Sequence, residues 1–448
     1  MTRSDPLVLV LCLPLAGCAQ PLIDPPRPST DAPPAEDRRP EVGVNVPGED
    51  ITELVRRQNA PGLEPPLPTR KGTVTRSGVR PAVRRTQKGF VAWLPGARNV
   101  PTPAYHRGRV FAGGYGTYEL HAMEAGTGRP SWSLRLSDDG PTDPACKDGI
   151  CVFNTYSCTL FSVEADTGKH LWSWYLGSPQ LATPVIAGDI VYSSYPDHSG
   201  SREAPYVLAA FDLKTGQPLW RRWMDAEVSS TPVAHGGRVL VATRLGTLYT
   251  FSASDGEVLS VRRSRIASPP VLAAGTVLFG QGEVPPDNDM LVTSRPIFPE
   301  LEAAARAHRE LRPRPRPLVA QHRLITVDGG VVAATDRATG QRLWQHRFGE
   351  EQPADVPAPL LQAGPSILLA TSAGNVMRIE PDTGEVITVF RLGAGRIASQ
   401  PIAVDGWIYA GTTDGTVVAH DTGDAALTGW EMLGGGPDRR GTLNPEGT

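Results

Sequence analysis

Three features of the 448-residue sequence predict an all-β fold, an eight-bladed β-propeller of four-stranded blades. The dipeptide Thr-Gly recurs with a Trp four residues after the Gly: Thr127-Gly128 with Trp132, Thr167-Gly168 with Trp172, Thr215-Gly216 with Trp220, and Thr339-Gly340 with Trp344. A proline opens each of eight units, at Pro103, Pro144, Pro184, Pro232, Pro270, Pro317, Pro359 and Pro401, and successive prolines lie 38 to 48 residues apart. That period suits a four-stranded blade rather than a helical repeat. The 47 Gly and 44 Pro supply turn residues well beyond ordinary usage. Charge adds an exclusion: 44 basic against 47 acidic residues give a net charge of -3, which offers no cationic field for nucleic acid as a main partner.

The elements follow in chain order. Residues 1–17 read as an export signal: an apolar run from Pro6 to Ala16, too short to span a bilayer, is preceded by Arg3 and followed by Gly17-Cys18. Leu15-Ala16-Gly17-Cys18 resembles the lipobox of bacterial lipoproteins, which implies cleavage before Cys18 and its lipidation. Ala19, not Asp, follows the Cys, and by the lipoprotein sorting rule this implies the outer membrane. Residues 18–88 are expected to be a disordered tether, because a Pro-rich stretch almost without aromatics cannot offset its ordering entropy. Its end is basic, with Arg70, Lys71, Arg76, Arg80, Arg84, Arg85 and Lys88 and no acid among them, a solvated run or a contact for anionic lipid or cell wall.

The propeller is expected over 89–432, with a C-terminal tail at 433–448. After each proline comes an apolar strand, a Gly or Asp turn and a second strand, as in Pro184-Val-Ile-Ala-Gly-Asp-Ile-Val-Tyr192. The recurring Trp132, Trp172, Trp220 and Trp344 are expected to wedge between adjacent blades. The unit opened by Pro270 has lost its Thr-Gly-x-x-x-Trp turn, and an Ala-rich stretch from Pro299 to Leu311 reads there as a short helix.

The repeat Asp-x-x-Thr-Gly-x-x-x-Trp, as in Asp212 to Trp220 and Asp336 to Trp344, resembles that of the pyrroloquinoline quinone (PQQ) dehydrogenase-like β-propellers over roughly residues 90 to 432. Lipobox, length and domain content are similar to those of the propeller lipoproteins of the outer-membrane β-barrel assembly machinery. Both branches are eight-bladed. The quinone enzymes hold their cofactor against a disulfide of adjacent cysteines, and this sequence has no Cys-Cys pair. The expectation is therefore a non-catalytic scaffold for envelope proteins, β-barrel assembly components among them, with no cofactor, catalytic residue or metal. A ligand-binding or sensor propeller, and then a PQQ-dependent dehydrogenase, are the alternatives.

Smaller motifs complete the reading. Cys146 and Cys151 flank Lys147-Asp-Gly-Ile150, and a hairpin there would set them opposite each other as a candidate disulfide, leaving Cys158 odd; three buried thiols are the other possibility. The repeat lengthens at Tyr195 to Pro205 and at Gln281 to Arg316. Both insertions are expected to rise from one rim, making Tyr195, His198, Arg202, Glu300, Arg306 and Arg309 candidate partner-binding residues.

Overall fold

The computed structural model describes residues 49–156, 159–177, 183–197, 206–228, 231–263, 270–273, 276–278, 316–328, 331–347, 360–392, 395–397 and 399–439. Cys18, Cys158 and the expected helix between Pro299 and Leu311 lie outside them. The chain is an all-β propeller whose blades are four antiparallel strands in sequence order from the axis outward. The Pro103 blade, for example, runs Ala104–His106, Arg109–Ala112, Glu119–Glu124 and Pro130–Leu136. Innermost strands stand side by side round the axis.

Among the described residues seven sheets are complete four-stranded blades, a correction to the eight expected from the prolines. Among the described residues the Pro270 unit supplies only a hairpin, Val271–Ala273 with Thr276–Leu278, set between the innermost strands of the Pro232 and Pro317 blades. The physical reason is in the repeat itself: this unit has no Thr-Gly or Asp-Gly turn to return a third strand into a fourth, whereas the Pro232 and Pro359 blades lack the Trp but keep the turn at Gly256 and Gly384.

The turn chemistry explains why the repeat reads Asp-x-x-Thr-Gly. Asp212 Oδ1 accepts hydrogen bonds from the Lys214 amide at 3.1 Å, the Thr215 amide at 2.7 Å and the Thr215 hydroxyl at 2.7 Å. Asp336 holds Ala338 and Thr339 in the same way. Such an Asx turn ends in a left-handed residue, and Gly216 at φ +68° fills it without strain.

The preceding blade uses that glycine as a platform. Each repeat Trp donates its indole N–H to the following blade's turn: Trp132 to Ala165 O at 3.0 Å, Trp172 to Leu213 O at 2.9 Å, Trp220 to Ala253 O at 3.0 Å and Trp344 to Pro381 O at 2.9 Å. All four are buried. A Cβ on the turn glycine would meet the ring, at 2.5 Å for Gly216 on Trp172 and 2.6 Å for Gly256 on Trp220. A large apolar ring thus seals each of these blade boundaries while its one polar atom stays satisfied.

Ring closure comes from the N-terminal side. The Pro401 blade supplies three strands, Ile402–Val404, Trp407–Gly411 and Thr416–Asp421, and Gly89–Trp93 pairs with the last of them as its fourth. Phe90 of that closing strand takes the Trp position and lies over Gly128, whose Cβ would meet it at 2.5 Å.

Residues 49–88 correct the expectation of a disordered tether. They form a belt along the outer edges of five consecutive blades. Glu49–Asp50 pairs with Val258–Arg263, and the helix Thr52–Gln58 buries Val55 beside it. Asn59 and Pro65 engage the Pro184 blade, Thr69 bridges to Tyr175, Val74–Arg76 pairs with Pro130–Leu136, and Ala82–Thr86 pairs with the closing strand. Composition misled because the belt needs little apolar surface: blade edges already offer unpaired backbone groups. The basic run is likewise engaged. Arg70, Arg76 and Arg85 donate to turn carbonyls of Thr215, Thr167 and Gly126, while Lys71 lies 5.5 Å from the Tyr175 ring and Arg84 5.6 Å from that of Trp93.

Candidate protein-interaction surface

The axis is where a propeller usually offers a channel, and here the chain's own C-terminal segment occupies it. The C-terminal tail expected from 433 packs on the innermost strands as far as Arg439. Trp430 pairs with Ala403, Glu431 O accepts from the Tyr105 amide at 2.7 Å, Pro437 O from Ile186 at 2.8 Å and Asp438 O from Ala234 at 3.2 Å. Arg439 is fully buried and donates to Pro184 O, Leu433 O, Asp143 O and Pro144 O at 2.8 to 3.4 Å. Arg316 donates in turn to Arg439 O at 2.6 Å.

Burial, opposed by Asp143 and Asp438, pulls the Arg439 guanidinium down to about 10, so it remains charged at neutral pH. Burial also raises the Asp143 carboxyl above its ordinary range, against the pull of Arg439 and the Thr102 amide at 2.6 Å. This cluster neutralises itself and works as a fastener across blades. Among the described residues no group of three or more His, Cys, Asp or Glu is placed to hold a metal ion. A cleft of about 720 Å³ does open between the strand turns of the Pro184 and Pro232 blades and the tail, with Lys147, His235, Arg238, Glu431 and Asp438 among its lining residues.

The expected rim residues fare differently. Tyr195 is corrected: its side chain is buried, its hydroxyl donates to Pro66 O at 2.8 Å, and so it faces the belt rather than a partner. His198, Arg202, Glu300, Arg306 and Arg309 lie outside the described residues. Cys146 and Cys151 are joined by a disulfide and pair across the hairpin Ala145–Lys147 and Ile150–Asn154.

A different part of the rim carries exposed aromatics. Between the second and third strands of the Pro103 blade, Tyr115 and Tyr118 are 45% and 42% exposed. Tyr115 meets Tyr156 of the next blade edge-on at 4.8 Å, and Arg135 lies 5.3 Å from the Tyr118 ring. The loop is held firmly, since the Tyr115 amide donates to Asn99 O at 2.7 Å and its carbonyl accepts from Arg98 at 2.8 Å. Rigid exposed tyrosines lose little entropy on contact and are enriched at protein interfaces. The signal is present as Gly113-Gly-Tyr-Gly-Thr-Tyr118, a glycine-rich aromatic loop of ordinary length that no insertion marks.

Fold and surface define a β-propeller of the PQQ-repeat type with a stoppered axis. A family model described as PQQ_2, outer membrane protein assembly factor BamB, matches residues 79–201, 204–293 and 303–444, and the chain belongs to that family. It is similar to the outer membrane protein assembly factor BamB of Yersinia pestis, 25% identical over 367 residues, covering 76% of this chain and 84% of the relative. The BamB of Burkholderia pseudomallei is 25% identical over 308 residues, covering 57% and 77%. Among solved structures, the computationally designed Ika8 protein aligns with a TM-score of 0.55 at 17% identity, covering 73% of this chain and 98% of its own, a likeness of fold alone.

Proposed function

We propose that the protein is a non-catalytic scaffold of outer-membrane protein assembly, anchored through lipid on Cys18 and facing the periplasm. What carries the reading is the family match, which spans the propeller from residue 79 to residue 444. The occupied axis supports it: Arg439 and its carbonyl partners fill the place where a ring of strand ends would otherwise receive a ligand. The scaffold surface is the rim bearing Tyr115 and Tyr118.

The test is isolation of the tagged, lipidated chain from gently solubilised outer membranes. β-Barrel assembly proteins should accompany it, and Tyr115→Ala/Tyr118→Ala should reduce their recovery at least tenfold without changing the circular dichroism spectrum. Cys18→Ser should release the chain from the membrane fraction. Isolation of the chain alone, or with only a soluble glycan or peptide, refutes the assembly role.

A further inference from the structure

The belt follows a rule that points beyond itself. Counting from each turn glycine, the fifth and seventh residues of the outermost strand turn their backbone outward. Seven after Gly168, the Tyr175 amide donates to Thr69 O at 2.8 Å. Seven after Gly216, the Trp223 amide donates to Asn59 Oδ1 at 2.7 Å. Five after Gly128, Ser133 O accepts from the Ser77 amide at 3.0 Å. Five after Gly256, Val261 accepts from the Ile51 amide at 3.2 Å and donates to Thr52 Oγ1 at 2.9 Å.

The Pro359 blade repeats the Pro232 blade with the same strand register and the same bulge: Thr247↔Arg263 corresponds to Asn375↔Arg391, and Phe251↔Val258 to Ile379↔Val386. Val389 and Arg391 therefore stand where Val261 and Arg263 stand, with outward backbone groups. Among the described residues no strand pairs with that side of Val386–Arg391. An outward row of amides and carbonyls on an edge strand is a template for one more strand.

Charge says which strand. On the Pro232 blade the added strand is Glu49–Asp50, and its acids meet Arg263 at 3.3 Å and Arg262 at 3.0 Å. Arg391, the counterpart of Arg263, is exposed, and Ile387 on the same strand is 49% exposed. We propose that the outer edge of the Pro359 blade docks an extended, antiparallel strand of a partner protein that carries Glu or Asp opposite Arg391. This goes beyond the assembly reading, since any partner offering such a strand qualifies, and a peptide probe separates the two.

The probe is a fluorescein-labelled ten-residue peptide of alternating Thr and Val with a central Glu-Asp pair, titrated by anisotropy against the mature full chain at low ionic strength. Binding should weaken at least tenfold with Arg391→Glu and recover when the pair is changed to Lys-Lys. Val389→Pro, which deletes the outward N–H on an edge strand, should abolish it with an unchanged thermal transition. Equal binding by Arg391→Glu and the parent chain overturns the proposal. So does a tenfold gain in affinity on deleting residues 19–48, which would make the chain's own segment the occupant, or a dimer dissociated by Val389→Pro without peptide binding.

Discussion

A methyl group placed on Gly216 would be driven into Trp172. Its Cβ would lie 2.5 Å from Cγ and Cδ2 of the ring, and the residue sits at φ +68°. Gly340 has the same backbone, φ +71°, yet no described atom lies within 4 Å of its Cβ position. The pair separates two costs. Left-handed backbone costs an L-residue about 1–2 kcal/mol, and overpacking adds about 1–3 kcal/mol. Gly216→Ala should therefore lose about 2–5 kcal/mol and Gly340→Ala about 1–2 kcal/mol; the effect on the unfolded chain is common to both and cancels. Trp172→Ala alone should cost about 3–5 kcal/mol. In that background the methyl meets no ring, so the double variant should fall short of additivity by about 1–3 kcal/mol. Denaturant unfolding followed by tryptophan fluorescence and by circular dichroism measures all four chains. Equal losses at Gly216 and Gly340, or strict additivity with Trp172→Ala, would refute the stacking account of the repeat.

Two further outcomes follow from buried polar groups. His121 is fully buried with Nδ1 2.8 Å from Ser133 Oγ, and burial pulls its imidazole down to about 4 from 6.5. The unfolded chain then binds the proton more readily, so stability is retained above pH 6.5 and lost as pH falls toward 4, by about 3 kcal/mol at about 1.4 kcal/mol per unit. His121→Gln should flatten that part of the stability profile, and a profile unchanged by the substitution would exclude the assignment. Arg439→Ala should cost about 3 kcal/mol, because four carbonyls lose one charged donor. Arg439→Lys should recover only part of it, since an ammonium cannot span the guanidinium's fork; full recovery in denaturant unfolding would contradict the axial role.

What was legible in the sequence was what each blade repeats. Thr-Gly-x-x-x-Trp is visible because one side chain, one turn and one neighbour recur with a fixed offset, so Trp132 to Trp344 could be read as inter-blade residues before their partners were known. The belt was illegible for the opposite reason. Glu49–Asp50 and Val74–Arg76 join the sheets through backbone pairing, which leaves no periodic trace, and the prolines between and around them, such as Pro65, Pro66 and Pro68, argue for disorder. The axial segment hangs on single residues such as Trp430 and Arg439, which no pattern distinguishes. Tyr195 was misplaced because a lengthened loop was equated with an accessible one, whereas its hydroxyl is bound to the belt carbonyl of Pro66.

The belt also sets a timetable for folding. It runs against the order of the blades: Glu49 finds Arg263, 214 residues downstream, whereas Val74 needs only Leu136. The segment at Glu49–Asp50 must therefore wait for the fourth unit before it has a partner. The ring makes the same demand, since Gly89–Trp93 is held by Thr416–Asp421 near the other end of the chain. Contacts that close such long loops come late and slow the overall rate. Until then the unpaired outer edges of half-built blades are exposed to aggregation, so a factor that holds the unfolded chain should matter more here than the final stability would suggest.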